Sequence, residues 1–276
     1  MALDLKSQLM SGRMADAALS FVRERRTPVE ARPASTVILL RDTAAGPEVY
    51  LLRRQQSMAF AAGMTVFPGG RVDATDSSIA DSWSGPSPEW FGERMGCSAE
   101  TAAAYVAAAV RETFEESGVL LAGPDTESVV GDTTGDDWEA DRVALESRDL
   151  GFADFLHRRG LVLRADLLGV WTHWITPEFE PRRYDTRFFV AALPAGQVTR
   201  DVTSESDQVA WLPPAEAVRV VEASEMLMLP PTYLCCRDLI PYAAVADVLA
   251  ASADREIRPI QPTVRIENDQ AYLETP

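Results

Sequence analysis

Two apolar, β-branched runs, Ser35–Arg41 (STVILLR) and Glu48–Arg54 (EVYLLRR), flank a Gly-Pro turn and predict a hairpin. Thr65–Phe67 predicts a third, short strand that runs into Pro68-Gly69-Gly70, a bend at which backbone can approach a ligand closely. Ser77–Ser98, with Trp83, Pro86, Pro88 and Trp90, reads as an inserted loop. Ala99–Ser117 predicts a helix: Tyr105, Val106, Val110 and Phe114 recur at helical spacing among alanines, and Gly118 stands as its C-cap. Val119–Ala122 reads as a strand. Leu167–Thr176 and Asp185–Leu193 are almost continuously apolar, as strands buried on both faces in the middle of a sheet would be. Beyond them the pattern predicts a strand at Gln208–Leu212, helices at Pro214–Ser224 and Pro231–Ala251, and a terminal hairpin of Thr263–Ile266 with Ala271–Leu273. Met1–Glu30, with Asp4, Lys6, Arg13 and Asp16 between short apolar stretches, reads as an exposed helix. Interleaved strands and helices place the chain in the α/β (α+β) class, with a mixed sheet sandwiched between helices.

The 276 residues are 46% hydrophobic and 25% charged, enough for a sizeable apolar core without disulfides, and no run of about 18 apolar residues is present to cross a bilayer. Forty-two acidic against 26 basic residues give a net charge of −16, a field that repels polyphosphate backbones and argues against nucleic-acid binding. A small phosphorylated ligand remains compatible, because a metal ion or an arginine pocket overrides that field at short range. Cys97, Cys235 and Cys236 form no Cys-x-x-Cys and suit a reducing compartment. With only His157 and His173 as imidazoles, both read as structural, any metal must sit on oxygen. Pro124–Asp149 holds nine acids against Arg142 and Arg148 and reads as solvated loop and surface helix. The first 30 residues lack the apolar core of a signal peptide and the last three are Glu-Thr-Pro, so the expected compartment is the cytoplasm.

The informative segment is Arg111-Glu112-Thr113-Phe114-Glu115-Glu116-Ser117-Gly118. On a helix Glu112, Glu115 and Glu116 stand at i, i+3 and i+4, so three carboxylates share one face and converge on one small volume. Two of them occupy the last turn, where the helix dipole is negative and each acid costs about 0.3–1 kcal/mol. Arg111 precedes Glu115 by four, the less favourable order for an ion pair. A solvated acidic helix end is the plain alternative. A divalent cation would supply the missing compensation, turning the cluster into a hard oxygen cage for Mg²⁺ or Mn²⁺.

With these residues the sequence resembles the Nudix hydrolases. Arg111, Glu112, Glu115, Glu116, Gly118 and Val119 match the second half of their box, with Thr113 at a usually apolar position. In the first half, Gly70 is followed after five residues by Asp76 in place of Glu, and 34 residues, Ser77–Val110, separate it from Arg111 instead of seven. Relatives of the peroxisomal coenzyme A diphosphatase carry a similar insertion. Phe67–Ser78 resembles their opening, and Trp174-Ile175-Thr176-Pro177 with Arg183–Ala191 resembles their central strands. The resemblance spans about Pro33 to Leu249. It implies a Nudix domain over residues 31–255, with insertions near 77–98 and 124–165, an N-terminal helical extension over 1–30 and a tail or hairpin over 256–276.

It further implies hydrolysis of a diphosphate linkage in a small nucleoside-diphosphate-linked molecule, with coenzyme A or acyl-CoA as the first candidate. Alternatives are ADP-ribose, a dinucleotide or a nucleotide sugar, or a nucleotide-sensing module that does not cleave. Glu112, Glu115 and Glu116, with the Gly70 carbonyl, would hold Mg²⁺ or Mn²⁺; Arg111 would orient a box carboxylate; Glu112 or Glu205 would act as base. Gly69 and Gly70 would approach the substrate. Leu51-Leu52-Arg53 through Gly63 to Phe67–Gly70 is similar to a coenzyme A motif of some Nudix enzymes, one residue short and lacking its internal arginine. Arg53, Arg54, Arg182 and Arg183 are candidate phosphate contacts, and Trp83, Trp90 and Trp138 candidate base-stacking residues or loop anchors. No membrane partner is expected, and a homodimer is the family-level expectation.

Overall fold

A computed structural model describes residues 7–55, 61–79, 82–201 and 206–276. Its centre is a mixed sheet in the order β11(Ser206–Leu212), β3(Gly46–Arg54), β2(Arg32–Thr43), β10(Tyr184–Ala192), β9(Gly169–Ile175), β12(Pro259–Ile260). The short strands β4(Thr65–Val66) and β5(Gly69–Arg71) add to β3 and β2. β10 runs parallel to β2 and antiparallel to β9, so the apolar runs that predicted interior strands do lie inside the sheet.

Alternation along β2 feeds two cores. Val37 and Leu39 pack towards α3(Ala99–Ser117), while Ile38 and Leu40 face the cluster that contains Ala217, Tyr233 and Val248. Those three belong to α6(Pro214–Glu222), α7(Pro230–Leu239) and α8(Val245–Asp254), so helices cover both faces. The long helix expected over 231–251 is therefore two: Pro241 has no N–H and cannot continue a helix, and the chain turns between Leu239 and Val245.

The first insertion is more ordered than its composition implied. It carries β6(Trp83–Ser84) and α2(Pro88–Met95), which starts with Ser87 accepting from the Trp90 N–H and Pro88 in the first turn, and stops at Gly96 in the left-handed conformation. Phe91 of α2 is buried between Trp83 and Phe189. The acidic stretch contains α4(Asp136–Glu146), followed by α5(Phe152–Arg159) and β8(Val162–Arg164). The strand expected at 119–122 is reduced to β7(Ala122–Gly123), and β6, β8 and β7 form a small sheet that joins the two insertions.

The N-terminal segment contains the expected helix, α1(Gly12–Arg23), but one face of it is packed rather than exposed. Ala18 of α1 is fully buried with Met10, Phe179 and Ala271. β1(Ser7–Leu9) pairs with the C-terminal hairpin β13(Thr263–Glu267)–β14(Gln270–Glu274), so the two end segments build one three-stranded sheet. Among the described residues no helix is long and apolar enough to cross a membrane.

Candidate functional site

Helix α3 begins at Ser98, whose hydroxyl accepts from the Thr101 N–H, and ends at Gly118 with φ 72°. Its last two turns are almost wholly buried: Arg111, Glu115 and Glu116 are each less than a tenth exposed. Thr113, at the box's usually apolar position, is also buried, its hydroxyl donating to the Ala109 carbonyl at 2.7 Å. That internal bond lets a threonine stand where an apolar side chain would.

Arg111 uses all five of its N–H donors. Nε and Nη2 donate to the two oxygens of Asp76 at 2.9 and 3.0 Å, Nη1 to Glu112 at 2.9 Å and Glu115 at 3.0 Å, and Nη2 also to the Arg71 carbonyl at 2.9 Å. Burial alone would favour loss of its proton. The Asp76 hydrogen bonds and the charges of Glu112, Asp76 and Glu115 outweigh burial and hold the guanidinium firmly protonated. For Glu115 the balance is opposite: burial raises its pKa, and the lowering by Arg111 does not fully offset it. Asp76 is only 1% exposed. The long stretch of 34 residues between Asp76 and Arg111 does not displace it, because residues 74–78 form a 3-10 turn packed on α3 and the chain leaves and returns beyond it.

The negative end of α3 is also compensated from a distance. Arg142 of α4, 5% exposed, donates Nη1 to the Glu115 carbonyl at 2.9 Å and is held by Glu139 and Glu146. It thereby satisfies a carbonyl of the last helical turn with a positive charge. Arg200 ties the same corner: its backbone N–H donates to the Ser117 carbonyl and its side chain to Glu139 and the Thr133 carbonyl.

Two of the three glutamates meet the Gly-Gly bend. The Gly69 N–H donates to Glu116 Oε2 at 2.8 Å, and a Cβ at Gly70 would lie 2.4–2.5 Å from the Glu112 carboxylate. Glu115 instead turns to Arg111. Among the described residues no group of three acidic, histidine or cysteine side chains is gathered closely enough to hold a metal ion, so the expected convergence of all three carboxylates on one volume is not what the structure has. The physical reason is Arg111, which draws Glu115 and one oxygen of Glu112 towards Asp76. The donors at the bend still suit a hard divalent cation: they are oxygen, they come from residues four apart on one helix, and glycine leaves the Glu112 carboxylate uncovered.

A cavity of about 410 Å³ opens beside this bend, within the usual range of about 300–1,000 Å³ for small-molecule sites. Gly69, Gly70, Glu112 and Arg54 line it, as do Arg71 and Arg148, which the sequence reading did not single out. Arg148 sits at φ 64° just after α4 and pairs with Asp73 at 3.0 Å. Arg53 stands opposite Thr65 in the β3–β4 pairing, and Arg183 donates to the Thr176 and Val29 carbonyls. Glu205 lies outside the described residues. Trp83 and Trp138 are packed against Phe91 and Phe114, as anchors would be, and Trp90 contacts Phe91 edge-on. His173 is buried in β9 with Nε2 2.7 Å from Asp185.

The chain matches known proteins in sequence and in fold. The family described as "NUDT19 Nudix domain" matches residues 89–239. The protein named acyl-coenzyme A diphosphatase NUDT19 from Homo sapiens is 30% identical over 246 residues, covering 74% of this chain and 64% of that protein. Its Xenopus laevis namesake is 25% identical over 234 residues, covering 73% and 62%. This chain thus spans less than two thirds of the length of these relatives. A crystal structure of a Nudix hydrolase from Alicyclobacillus acidocaldarius superposes with a TM-score of 0.69 at 26% identity, covering 84% of this chain and 99% of the other. A family match over more than half of its residues, on a fold that places the box helix against the Gly-Gly bend, makes this chain a member of the NUDT19 Nudix family.

Proposed function

We propose that the chain is a divalent-metal-dependent pyrophosphatase that hydrolyses the diphosphate of coenzyme A or an acyl derivative, releasing 3′,5′-ADP and the (acyl-)phosphopantetheine. The observation that carries this reading is the meeting of Glu112 and Glu116 with Gly69-Gly70 on the wall of a cavity of small-molecule size. The substrate is drawn from the relatives, which bear the name acyl-coenzyme A diphosphatase. In this reading residues 31–255 form the Nudix domain.

Glu112 and Glu116, with the Gly70 carbonyl, would hold Mg²⁺ or Mn²⁺, and Glu115, the third carboxylate of the expected set, would join them by leaving Arg111. When bound, such an ion neutralises diphosphate oxygens and acidifies a water molecule. Glu112 is the proposed base: it takes a proton from water as the water oxygen bonds to phosphorus, and the bridging P–O bond breaks with its electron pair leaving on the departing phosphate. Glu205 is the second candidate for that proton. Arg111 acts as a positioning residue that fixes the Glu112 and Glu115 carboxylates from the side of Asp76. Arg54, Arg71 and Arg148 face the phosphates, where planar guanidinium groups bind in bidentate fashion.

Incubation with Mg²⁺ or Mn²⁺ and, separately, coenzyme A, ADP-ribose, NADH and sugar nucleotides, followed by mass analysis, tests the reading. Release of 3′,5′-ADP and phosphopantetheine is expected. Turnover of another substrate alone replaces coenzyme A, and tight binding without turnover makes the chain a sensing module. A second expectation concerns Gly70→Ala. The backbone there is not left-handed, so alanine is tolerated, and the atom in its way is the far end of a flexible side chain. Stability is expected to fall by less than about 1 kcal/mol. Displacing Glu112 is expected to lower turnover by at least about tenfold. Circular dichroism melting alongside initial rates separates the two effects; unchanged rates would remove Glu112 from the site.

A further inference from the structure

The cavity beside the Gly-Gly bend is not chemically uniform. Arg54 ends β3, Arg71 ends β5, and Arg148 reaches the same side through Asp73, two residues beyond β5. β3 and β5 both lie on one side of β2. On its other side the sheet continues through β10 to β9, about 14 Å from β5 at the usual strand spacing of about 4.8 Å.

The wall differs there. Beside Thr176 and Tyr184 it includes Phe179 and Glu180 in the connection from β9 to β10, and five of its residues matter here: these two, Pro262, Leu273 of β14 and Met14 of α1. Met14 is 47% exposed, a large apolar side chain left on a cavity wall. Glu180 is the single acid among these five. Its carboxylate has no hydrogen-bond or ion-pair partner among the described residues, and burial pushes its pKa up with no opposing cation. A partly desolvated acceptor at the end of an apolar wall is satisfied by an N–H or O–H donor carried on an otherwise uncharged group. A phosphate there would meet the carboxylate's like charge.

We propose that this end of the cavity is the subsite for the uncharged arm of the substrate, with Glu180 accepting a hydrogen bond from an N–H or O–H of that arm and Met14, Phe179 and Leu273 covering its apolar part. This rests on the coenzyme A reading, in which one half of the substrate is an amide-bearing chain without a further phosphate and the other carries a third phosphate that belongs with the arginines. The arm is then selected by the two end segments of the chain, which lie outside the Nudix box.

Calorimetric binding of the two product halves to the full chain tests the assignment. In Glu180→Leu and, separately, Met14→Asp, affinity for 4′-phosphopantetheine is expected to fall about tenfold, the loss of one hydrogen bond to a charged acceptor or of apolar cover. Affinity for 3′,5′-ADP is expected to stay within twofold, with the melting temperature unchanged. A loss that falls on 3′,5′-ADP instead would place the nucleobase at this end and overturn the subsite, as would no loss for either half. Wild-type turnover of coenzyme A is measured in parallel: intact turnover with either contrary result removes the subsite alone, whereas no turnover of coenzyme A removes the underlying reading and the subsite with it.

Discussion

Replacing Asp76 by alanine is expected to destabilise the protein by about 3–5 kcal/mol, because it strands a buried guanidinium that now has two hydrogen bonds too few. Asp76 and Arg111 are 1% and 5% exposed and joined through both oxygens of the carboxylate. For a domain of this size each kcal/mol moves the melting temperature by about 2–4 °C, so a drop on the order of 10 °C is expected by calorimetry. The exposed pair Arg258–Glu256, with side chains 78% and 71% accessible, supplies the contrast: Glu256→Ala is expected to leave the melting temperature where it is. A drop of less than about 2 °C for Asp76→Ala would mean that water reaches Arg111 and that the cluster is not closed.

The second large effect is on turnover. Glu116→Gln keeps the shape of the side chain and an oxygen that can accept from the Gly69 N–H, so the fold is expected to persist with an unchanged melting curve. It removes the negative charge from the bend, and turnover is expected to fall by a factor on the order of 10³ or more. Initial rates near those of the unaltered protein would show that Glu116 serves only to fasten Gly69. Measured together, the two variants separate support from chemistry: one is expected to lose stability, the other to lose rate alone.

Much of the frame was legible because the relevant signals are local. Helix α3 is found within its bounds from the Tyr105–Phe114 periodicity and Gly118, and the interior strands from unbroken apolar runs. α2 is not legible in the pattern, since eight residues are too few to show a period, although Ser87, Pro88 and Gly96 mark its ends. The break at Pro241 is masked in the pattern because apolar residues continue on both sides of it.

At the site, what could not be read was what the chain brings from far away. Read in sequence, the last turn of α3 lacks compensation for its acids. In the folded chain Arg111 reaches Asp76, 35 residues earlier, and Arg142 reaches the Glu115 carbonyl from 27 residues later. Part of the apparent electrostatic cost is therefore met by structure, and the charge left for a metal to offset lies on Glu112 and Glu116 at the Gly-Gly bend. A lone arginine pair within the acidic stretch was the available signal: Arg142 caps the helix and Arg148 lines the cavity. Glu180 gives no signal in sequence, because only folding reveals that its neighbours among the described residues leave it without a partner.

The small sheet in which β8 lies between β6 and β7 links two stretches that are separate in sequence. Removing either stretch strips the other of strand partners and uncovers the apolar side chains beneath it, so neither can be lost gradually on its own. A deletion of either stretch is therefore expected to unsettle the other as well.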